Sequence, residues 1–113
     1  MTSSDSPAPT PGNAVAWDAS FIFSILSDAM RYRILATLAR NGPQAASQLM
    51  GSSSRKFSAT LKHMVMMERA GLLVRTPDRA DKRRMLYSLS PSLPLVKSET
   101  DVALEFGFCL VRL

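Results

Sequence analysis

The stretch that decides the fold is RKFSATLKHMVMMERAGLLVRTPDRADKRRMLYSLS, residues 55–90. Its first part repeats apolar side chains every three to four positions, which predicts an amphipathic helix ended by Gly71. Two β-type runs follow, with turn formers and charged residues between them. The stretch therefore predicts a helix over about 55–70, strands over 72–76 and 84–90, and a basic hairpin loop between the strands.

The same stretch carries the net charge of the chain. Nine of the fourteen Lys and Arg residues lie in residues 55–84, against three acidic residues, a balance of +6. The rest of the chain holds five basic and six acidic residues, so it contributes −1 to the overall +5. A cationic helix and hairpin attract a polyanion, because phosphate neutralisation supplies most non-specific affinity for nucleic acid. The charge predicts a DNA-binding surface, and the alternative is an ordinary solvated face.

The composition fits one globular domain of 113 residues, with 46% hydrophobic and 20% charged residues. Residues 1–13 are rich in Ser and Pro with little to bury, so we expect a disordered tail there and one domain over residues 14–113. The first residues lack a basic and an apolar signal region, which favours a cytoplasmic location. The single cysteine, Cys109, agrees with a reducing compartment.

Helix signals outside the basic stretch complete the expected fold. Apolar spacing predicts a first helix over 15–27, and Asp28 is typical of the N-cap of a second helix that Gly42 and Pro43 end. A short third helix is predicted over 44–50, and Ser98 with the acids that follow it predicts a last helix running to the end of the chain. The expected fold class is mainly α with a small β-hairpin: a winged helix-turn-helix of about five helices, whose terminal helices form a dimer interface.

The third and fourth helices, joined by a Gly/Ser turn, fit a helix-turn-helix whose second helix lies in the major groove. The hairpin then forms a wing that reaches the DNA backbone or the minor groove. Asp78 and Asp81 are assigned a turn role, with Asp81 able to pair with Arg83 or Arg84. The predicted DNA-binding residues are Ser53, Ser54, Arg55, Lys56, Ser58, Lys62, Arg79, Lys82, Arg83 and Arg84.

Two motifs resemble the ArsR-type winged-helix repressors over about residues 26–90. Residues 26–35, LSDAMRYRIL, resemble that family's L-x-D-x-x-R-x-x-I-L opening. Residues 62–64, KHM, and 68–73, ERAGLL, are similar to its R-H-L and E-A-G-L-V segments, although Ser53, Arg55 and Leu61 depart from the family pattern. The wing residues 81–84, DKRR, are also similar to the D-x-R-R wing of MarR-type regulators. The resemblance implies a dimeric DNA-binding transcriptional regulator, a repressor that occludes its operator and is often released by a ligand, here unidentified.

The sequence predicts no metal site, no cofactor and no enzymatic activity. A transition-metal site needs three or four closely spaced ligands, whereas this chain has one His and one Cys. His63 is interpreted as a structural histidine bonded near the helix end, and Cys109 as a buried inert thiol rather than an oxidation sensor. Without a nucleophile–base set, paired carboxylates or a phosphate-binding Gly loop, an enzyme is the weakest interpretation.

The terminal helices carry more apolar surface than one domain of this size covers, which favours a homodimer. Pairing across a two-fold axis would set two recognition helices about 34 Å apart on a pseudo-palindromic operator. The alternatives are that these helices close the monomer's own core, or that the protein is a winged-helix interaction module recruiting a different protein. The predicted interface residues are Trp17, Phe21, Phe23, Leu104, Phe106, Phe108, Leu110 and Val111.

Overall fold

The computed structural model describes residues 16–50 and 54–113, and for residue 50 and residues 54–57 it describes the backbone alone. Within these ranges the chain forms four helices and six strands. The expected tail at residues 1–13 and the predicted site residue Ser53 lie outside the described residues. The helices are α1 (Ala19–Leu26), α2 (Ala29–Asn41), α3 (Ala46–Met50) and α4 (Ser54–Arg69). The strands are β1 (Gln44–Ala45), β2 (Leu73–Pro77), β3 (Met85–Leu89), β4 (Leu95–Lys97), β5 (Val102–Glu105) and β6 (Leu110–Arg112).

Aspartate side chains cap the first two helices; the Asp28 cap is where the sequence predicts it, whereas α1, expected over 15–27, begins only at Ala19. The Asp18 carboxylate accepts a hydrogen bond from the Phe21 backbone N–H at 2.8 Å. Asp28 caps α2 in the same way, accepting from the N–H groups of Met30 at 2.8 Å and Arg31 at 3.2 Å. Gly42 ends α2 with a φ of 77°, a left-handed conformation that suits glycine. The Asp18 and Asp28 side chains thus satisfy backbone N–H groups that the start of a helix leaves unpaired.

The predicted hairpin is the larger part of a three-stranded antiparallel sheet with the order β1-β3-β2. β2 and β3 pair along their full lengths, with Arg75 opposite Tyr87. β1 takes Gln44 and Ala45, which were expected to begin the third helix, and pairs them with Tyr87 and Leu86. The helix α3 therefore starts only at Ala46, because the two residues before it extend the sheet.

The predicted fold class is wrong, because the protein is α+β with two three-stranded antiparallel sheets. The second sheet has the order β4-β5-β6 and occupies the region where a last helix was expected. No last helix exists within the described ranges, so the prediction that terminal helices form a dimer interface is wrong as well. The apolar residues that were expected to surround a helix belong instead mainly to short strands, in which successive side chains point to opposite faces of a small sheet.

Two turns explain why residues 98–113 form strands. Ser98 does not cap a helix; its N–H donates to the Asp101 carbonyl at 2.8 Å, and its Oγ accepts from the Asp101 N–H at 3.0 Å. Gly107, with a φ of 92°, lies in the turn between β5 and β6 and donates its N–H to the Glu105 carboxylate at 2.7 Å. Ser and Asp stabilise turns as readily as helix caps, so the motif at residues 98–101 is compatible with either structure.

One core joins the helices to both sheets. The second sheet is tied to α2 by Tyr32, whose hydroxyl donates to the Arg112 carbonyl, and by Arg40, whose Nε donates to the Leu113 carbonyl at 3.0 Å. Across the described ranges, no helix has both the length and the apolar content needed to cross a bilayer. The core cluster consists of Ile22, Ile25, Ile34, Leu35, Leu38, Ala39, Met64, Met67, Leu72, Leu73, Tyr87, Leu93, Leu104 and Leu113.

Candidate nucleic-acid interface

The helix α4 has a buried inner face and an exposed outer face. Met64 and Met67 are fully buried in the core, and Thr60 is buried beside them with its hydroxyl 3.5 Å from the Met30 sulfur. This inner face holds the helix against α2. The outer face presents Ser58, Ala59, Lys62 and Arg69 to solvent.

A shallow groove of about 520 Å³ runs along the outer face of α4. Leu61, Val65 and Met66 form its apolar floor and are half-buried. The polar residues that line it are Ser58, Lys62 and Arg69. Cations of this kind contact phosphates or guanine, and apolar side chains contact thymine methyl groups in the major groove. The same groove would equally accept an apolar protein surface.

Two aspartates shape the loop between β2 and β3. Asp78 accepts a hydrogen bond from the Ala80 N–H at 2.9 Å, and its other carboxylate oxygen lies 3.5 Å from Arg84 Nε. Asp81 accepts from the Arg83 N–H at 3.1 Å and pairs with Arg83 Nε at 3.3 Å. These contacts are the turn role predicted for both residues, with Arg83 as the partner of Asp81. The acids order the loop rather than cancel its cationic character.

Arg84 also connects the base of this loop to α3. Its Nη2 lies 3.4 Å from Gln48 Oε1, which in turn accepts the Ala45 backbone N–H at 2.7 Å. The contact between Gln48 and Ala45 is half of a capping box, because the third residue of α3 reaches back to the N-cap amide. Sequence reasoning missed Gln48, although a Gln three residues after a helix N-cap is a recognisable signal. The loop and the helix that precedes α4 are thus held together.

The N-terminal end of α2 is held beside α4 by Asp28 and His63. Nε2 of the half-buried His63 lies 3.8 Å from the Asp28 carboxylate. The backbone N–H of Arg31 lowers the pKa of the Asp28 carboxyl below its ordinary value, with help from the N–H of Met30 and against the effect of partial burial. His63 thus links the middle of α4 to the N-terminal end of α2.

Most of the predicted DNA-binding residues lie on two surfaces, the outer face of α4 and the hairpin loop. Ser54, Arg55 and Lys56 lie in the first turn of α4, and their side chains are outside the described part of the structure. Ser58 and Lys62 are exposed on the same helix, and Arg79, Lys82, Arg83 and Arg84 are exposed in or beside the loop. Among the ion pairs of the described residues, Arg79 and Lys82 have no partner.

The predicted interface residues divide into a surface group and a core group. Leu104 is 1% exposed and belongs to the core, so it is not available to a partner. Trp17, Phe106 and Val111 are half-buried and pack against that core. The remaining four are exposed, and the rings of two of them, Phe23 and Phe108, meet edge to face at 5.7 Å. We name the exposed, contacting pair Phe23 and Phe108 the aromatic patch, and Phe21 and Leu110 are exposed as well.

Within the described ranges, no three His, Cys, Asp or Glu residues cluster closely enough to hold a metal ion. Cys109 is free and half-buried at the β5–β6 turn. In comparisons with known proteins, the chain matches no family model, no curated protein and no solved structure. Its function therefore has to be inferred from its own residues.

Proposed function

We propose that this protein is a sequence-specific DNA-binding transcriptional regulator, a homodimer that represses by occluding its operator. The observation that carries the proposal is an exposed outer face on α4 together with an ordered, cationic hairpin loop. The motifs that resemble ArsR-type regulators lie in the same region and support it. A regulator of this type needs access to DNA in the cytoplasm, so we include a cytoplasmic location in the proposal.

The two surfaces have different tasks in this proposal. Lys62 and Ser58 on α4, with Arg55 and Lys56 in its first turn, contact base edges and phosphates in the major groove. Arg79 and Lys82 lack an ion-pair partner among the described residues, so their charges are available to phosphates. Arg83 and Arg84 are held by aspartates and shape the loop as well as adding charge.

Fluorescence anisotropy across a salt series tests the proposal. The labelled duplex is the DNA upstream of the protein's own gene, and the competitor is a scrambled duplex of the same composition. We expect tighter binding to the upstream DNA and a log–log salt slope of several units, at about 0.9 per phosphate contact. Equal binding to both duplexes would remove the claim of sequence specificity.

Matched charge variants locate the interface. The double variant Arg79→Ala/Lys82→Ala removes two charges from the loop, and we expect it to reduce the salt slope by about 2 because two phosphate contacts are lost. Arg33→Ala/Lys97→Ala removes the same charge from exposed positions on α2 and β4. The loop is not the DNA contact if both double variants change the affinity and the slope equally.

In the proposed homodimer, a second copy of the chain covers the aromatic patch. Phe23 is 52% and Phe108 is 41% exposed although their rings are in contact, and adjacent exposed apolar side chains are typical of an interaction surface. A two-fold axis at this patch would present two α4 helices to one DNA duplex. Binding to half-sites about one helical turn apart then requires the dimer.

The same patch supports a second candidate function, an interaction module that recruits a different protein. In that case the patch and the apolar floor of the α4 groove are both docking surfaces for the partner. Copurification of one stoichiometric partner, together with no salt-dependent DNA binding, would favour this function over the first. Salt-dependent DNA binding without such a partner would exclude it.

A further inference from the structure

A second cleft, of about 610 Å³, lies on the protein where α4 meets β2. Its walls are the Trp17 side chain, the residues around Gly71, and the serines that follow β3. The Glu68 and Arg75 side chains line it together, Glu68 from α4 and Arg75 from β2. The cleft opens widely to solvent, as the groove along α4 does, and its volume lies within the range of about 300 to 1,000 Å³ that small-molecule sites occupy.

The two charged groups in the cleft form an incomplete ion pair. Arg75 Nε lies 3.3 Å from a Glu68 carboxylate oxygen, and both side chains retain solvent exposure. A guanidinium carries five N–H donors, and the pair with Glu68 uses only the Nε side of Arg75. The carboxylate likewise has lone pairs left over. A ligand that supplied only one charge would attract one of these groups and repel the other.

A zwitterion satisfies both groups at once. The carboxylate of an α-amino acid matches the remaining guanidinium donors of Arg75, and its ammonium group matches the Glu68 carboxylate. The two ligand charges lie close together, as do the two protein charges.

The Trp17 ring indicates what kind of side chain the ligand carries. Its indole Nε1 lies 3.4 Å from the Ser92 carbonyl, and its ring meets Phe106 edge to face at 6.3 Å, so the ring is held in place. A fixed aromatic wall beside a pair of charges suits a ligand with an aromatic or large apolar side chain. Ser90 and Ser92 line the same region, and the Ser90 hydroxyl already accepts the Ser92 N–H at 3.2 Å.

We propose that this cleft binds a zwitterionic amino acid with an aromatic or large apolar side chain. Glu68 belongs to α4 and Arg75 to β2, so a ligand that binds the remaining donors of Arg75 and the remaining lone pairs of Glu68 adds a second connection between α4 and the hairpin. On the proposed function, on which this step rests, the amino acid is an effector that changes affinity for DNA. Binding to the cleft itself does not depend on DNA.

Trp17 is the only tryptophan of the chain, so its fluorescence reports directly on the cleft. The full chain is titrated with L-phenylalanine, with 3-phenylpropanoate, which lacks the ammonium group, and with 2-phenylethylamine, which lacks the carboxylate. We expect a saturable change with L-phenylalanine and at least tenfold weaker binding of the other two. Equal binding of all three, or no saturable change with any of them, overturns the proposal.

Charge-removing variants place the ligand in the cleft. We expect Glu68→Gln and Arg75→Gln each to weaken L-phenylalanine binding at least tenfold. Glu99→Gln and Arg33→Gln make the same changes of charge at exposed positions outside the cleft and should bind as the wild type does. Circular dichroism first establishes that each variant is folded. Undiminished binding by both folded cleft variants overturns the assignment, and the ligand series with the wild type tests it independently.

A DNA measurement separates this inference from the proposed function. The salt-dependent anisotropy experiment is repeated with saturating L-phenylalanine, and at least a threefold change in affinity is expected. Unchanged DNA affinity in the presence of a bound ligand overturns the effector role. If the protein without ligand does not bind DNA, the proposed function is contradicted. The fluorescence titration then still tests whether the cleft binds the amino acid.

Discussion

Arg31 Nη1 lies 3.3 Å from Nδ1 of His63, which connects the first turn of α2 to the middle of α4. A guanidinium only donates hydrogen bonds, so Nδ1 is the acceptor in this contact, and Nε2 faces Asp28. The same Arg31 side chain donates to the carbonyls of Ile25 at 3.0 Å and Ser24 at 3.1 Å. One side chain therefore holds the end of α1, the start of α2 and the body of α4.

Arg31→Ala should reduce the free energy of unfolding by about 1 to 3 kcal/mol, because it removes the hydrogen bonds to His63 and to the Ile25 and Ser24 carbonyls, of which Ser24 keeps the Ser27 hydroxyl as a donor. Urea denaturation measures the change. A double-mutant cycle with His63→Ala should give a coupling energy of about 1 kcal/mol. Arg33→Ala, at an exposed position on the same helix, is the control and should change stability by less than about 0.5 kcal/mol. If the stability changes of the two single variants add up to that of the double variant, the contact between Arg31 and His63 contributes nothing to stability.

Asp28 should give the protein a pH-dependent contribution to stability. Its pKa in the folded state lies below the ordinary value of 3.8, chiefly because the Arg31 backbone N–H donates to the ionised carboxylate. This contribution is present at pH values above 3.8 and is lost as the pH falls through the lowered pKa. Asp28→Asn keeps an N-cap oxygen without the charge, so the wild type should exceed it in stability at pH 7 and lose that advantage in acid.

Denaturation of both proteins at a series of pH values from 7 to 2.5 measures this difference. Asp28→Ala removes the cap oxygen as well, so it should be less stable than Asp28→Asn at every pH. A constant difference between the wild type and Asp28→Asn over the whole series would contradict the assignment of the pKa shift to the folded state.

Gly107→Ala distinguishes the observed β-turn from the helix expected at the end of the chain. The φ of 92° disfavours any residue with a Cβ, although nothing would contact that Cβ within 4 Å. The cost comes from the backbone alone, and we expect a loss of about 1 to 2 kcal/mol in the free energy of unfolding. In a helix interior the same substitution would instead stabilise by about 1 kcal/mol. The sign of the change in the free energy of unfolding, measured by thermal unfolding, therefore distinguishes the turn from a helix. The stability of Gly107→Asn should lie between those of the wild type and Gly107→Ala.

Local signals explain which parts of the fold were predictable. The Asp28 cap, the Gly42 stop and the end of α4 at Gly71 each depend on residues within one or two helical turns. The strands β4 to β6 depend instead on distant contacts, such as the bond from Arg40 to the Leu113 carbonyl. Residues 102–113 are apolar at nearly every position, so neither a helical nor a strand period stands out.

The candidate site divides in the same way. The roles of Asp78 and Asp81 follow from turns of two to six residues, and sequence alone predicts them. The contact between Glu68 and Arg75 joins a helix to a strand, and Trp17 meets Ser92 from 75 positions away. Nothing in the local sequence marks those residues as neighbours, so the cleft they line becomes visible only in the folded chain.

Asp78→Ala should weaken DNA binding even though it makes the loop more positive. Charge alone predicts tighter binding, because a negative group near the phosphates is removed. The variant also loses the bond from the Ala80 N–H and the pair with Arg84, so the cations lose their fixed positions. We expect the loss of order to dominate and to lower the affinity by about threefold to tenfold, since ordering a loop on binding costs free energy. Anisotropy at constant salt measures this, and tighter binding by Asp78→Ala would show that loop order is irrelevant.

The homodimer should depend on the aromatic patch. Phe23→Asp or Phe108→Asp places a charge where the proposed second copy packs, and burying an unpaired charge is strongly unfavourable. We therefore expect each variant to raise the dimer dissociation constant at least a hundredfold, since about 2.7 kcal/mol corresponds to that factor. Sedimentation equilibrium over a range of micromolar concentrations measures the constant.

The control variant is Thr100→Asp, which adds the same charge at an exposed position in the β4–β5 turn and should dimerise as the wild type does. A wild-type protein that stays monomeric at all these concentrations would contradict the homodimer, and dimerisation unaffected by either patch variant would place the interface elsewhere.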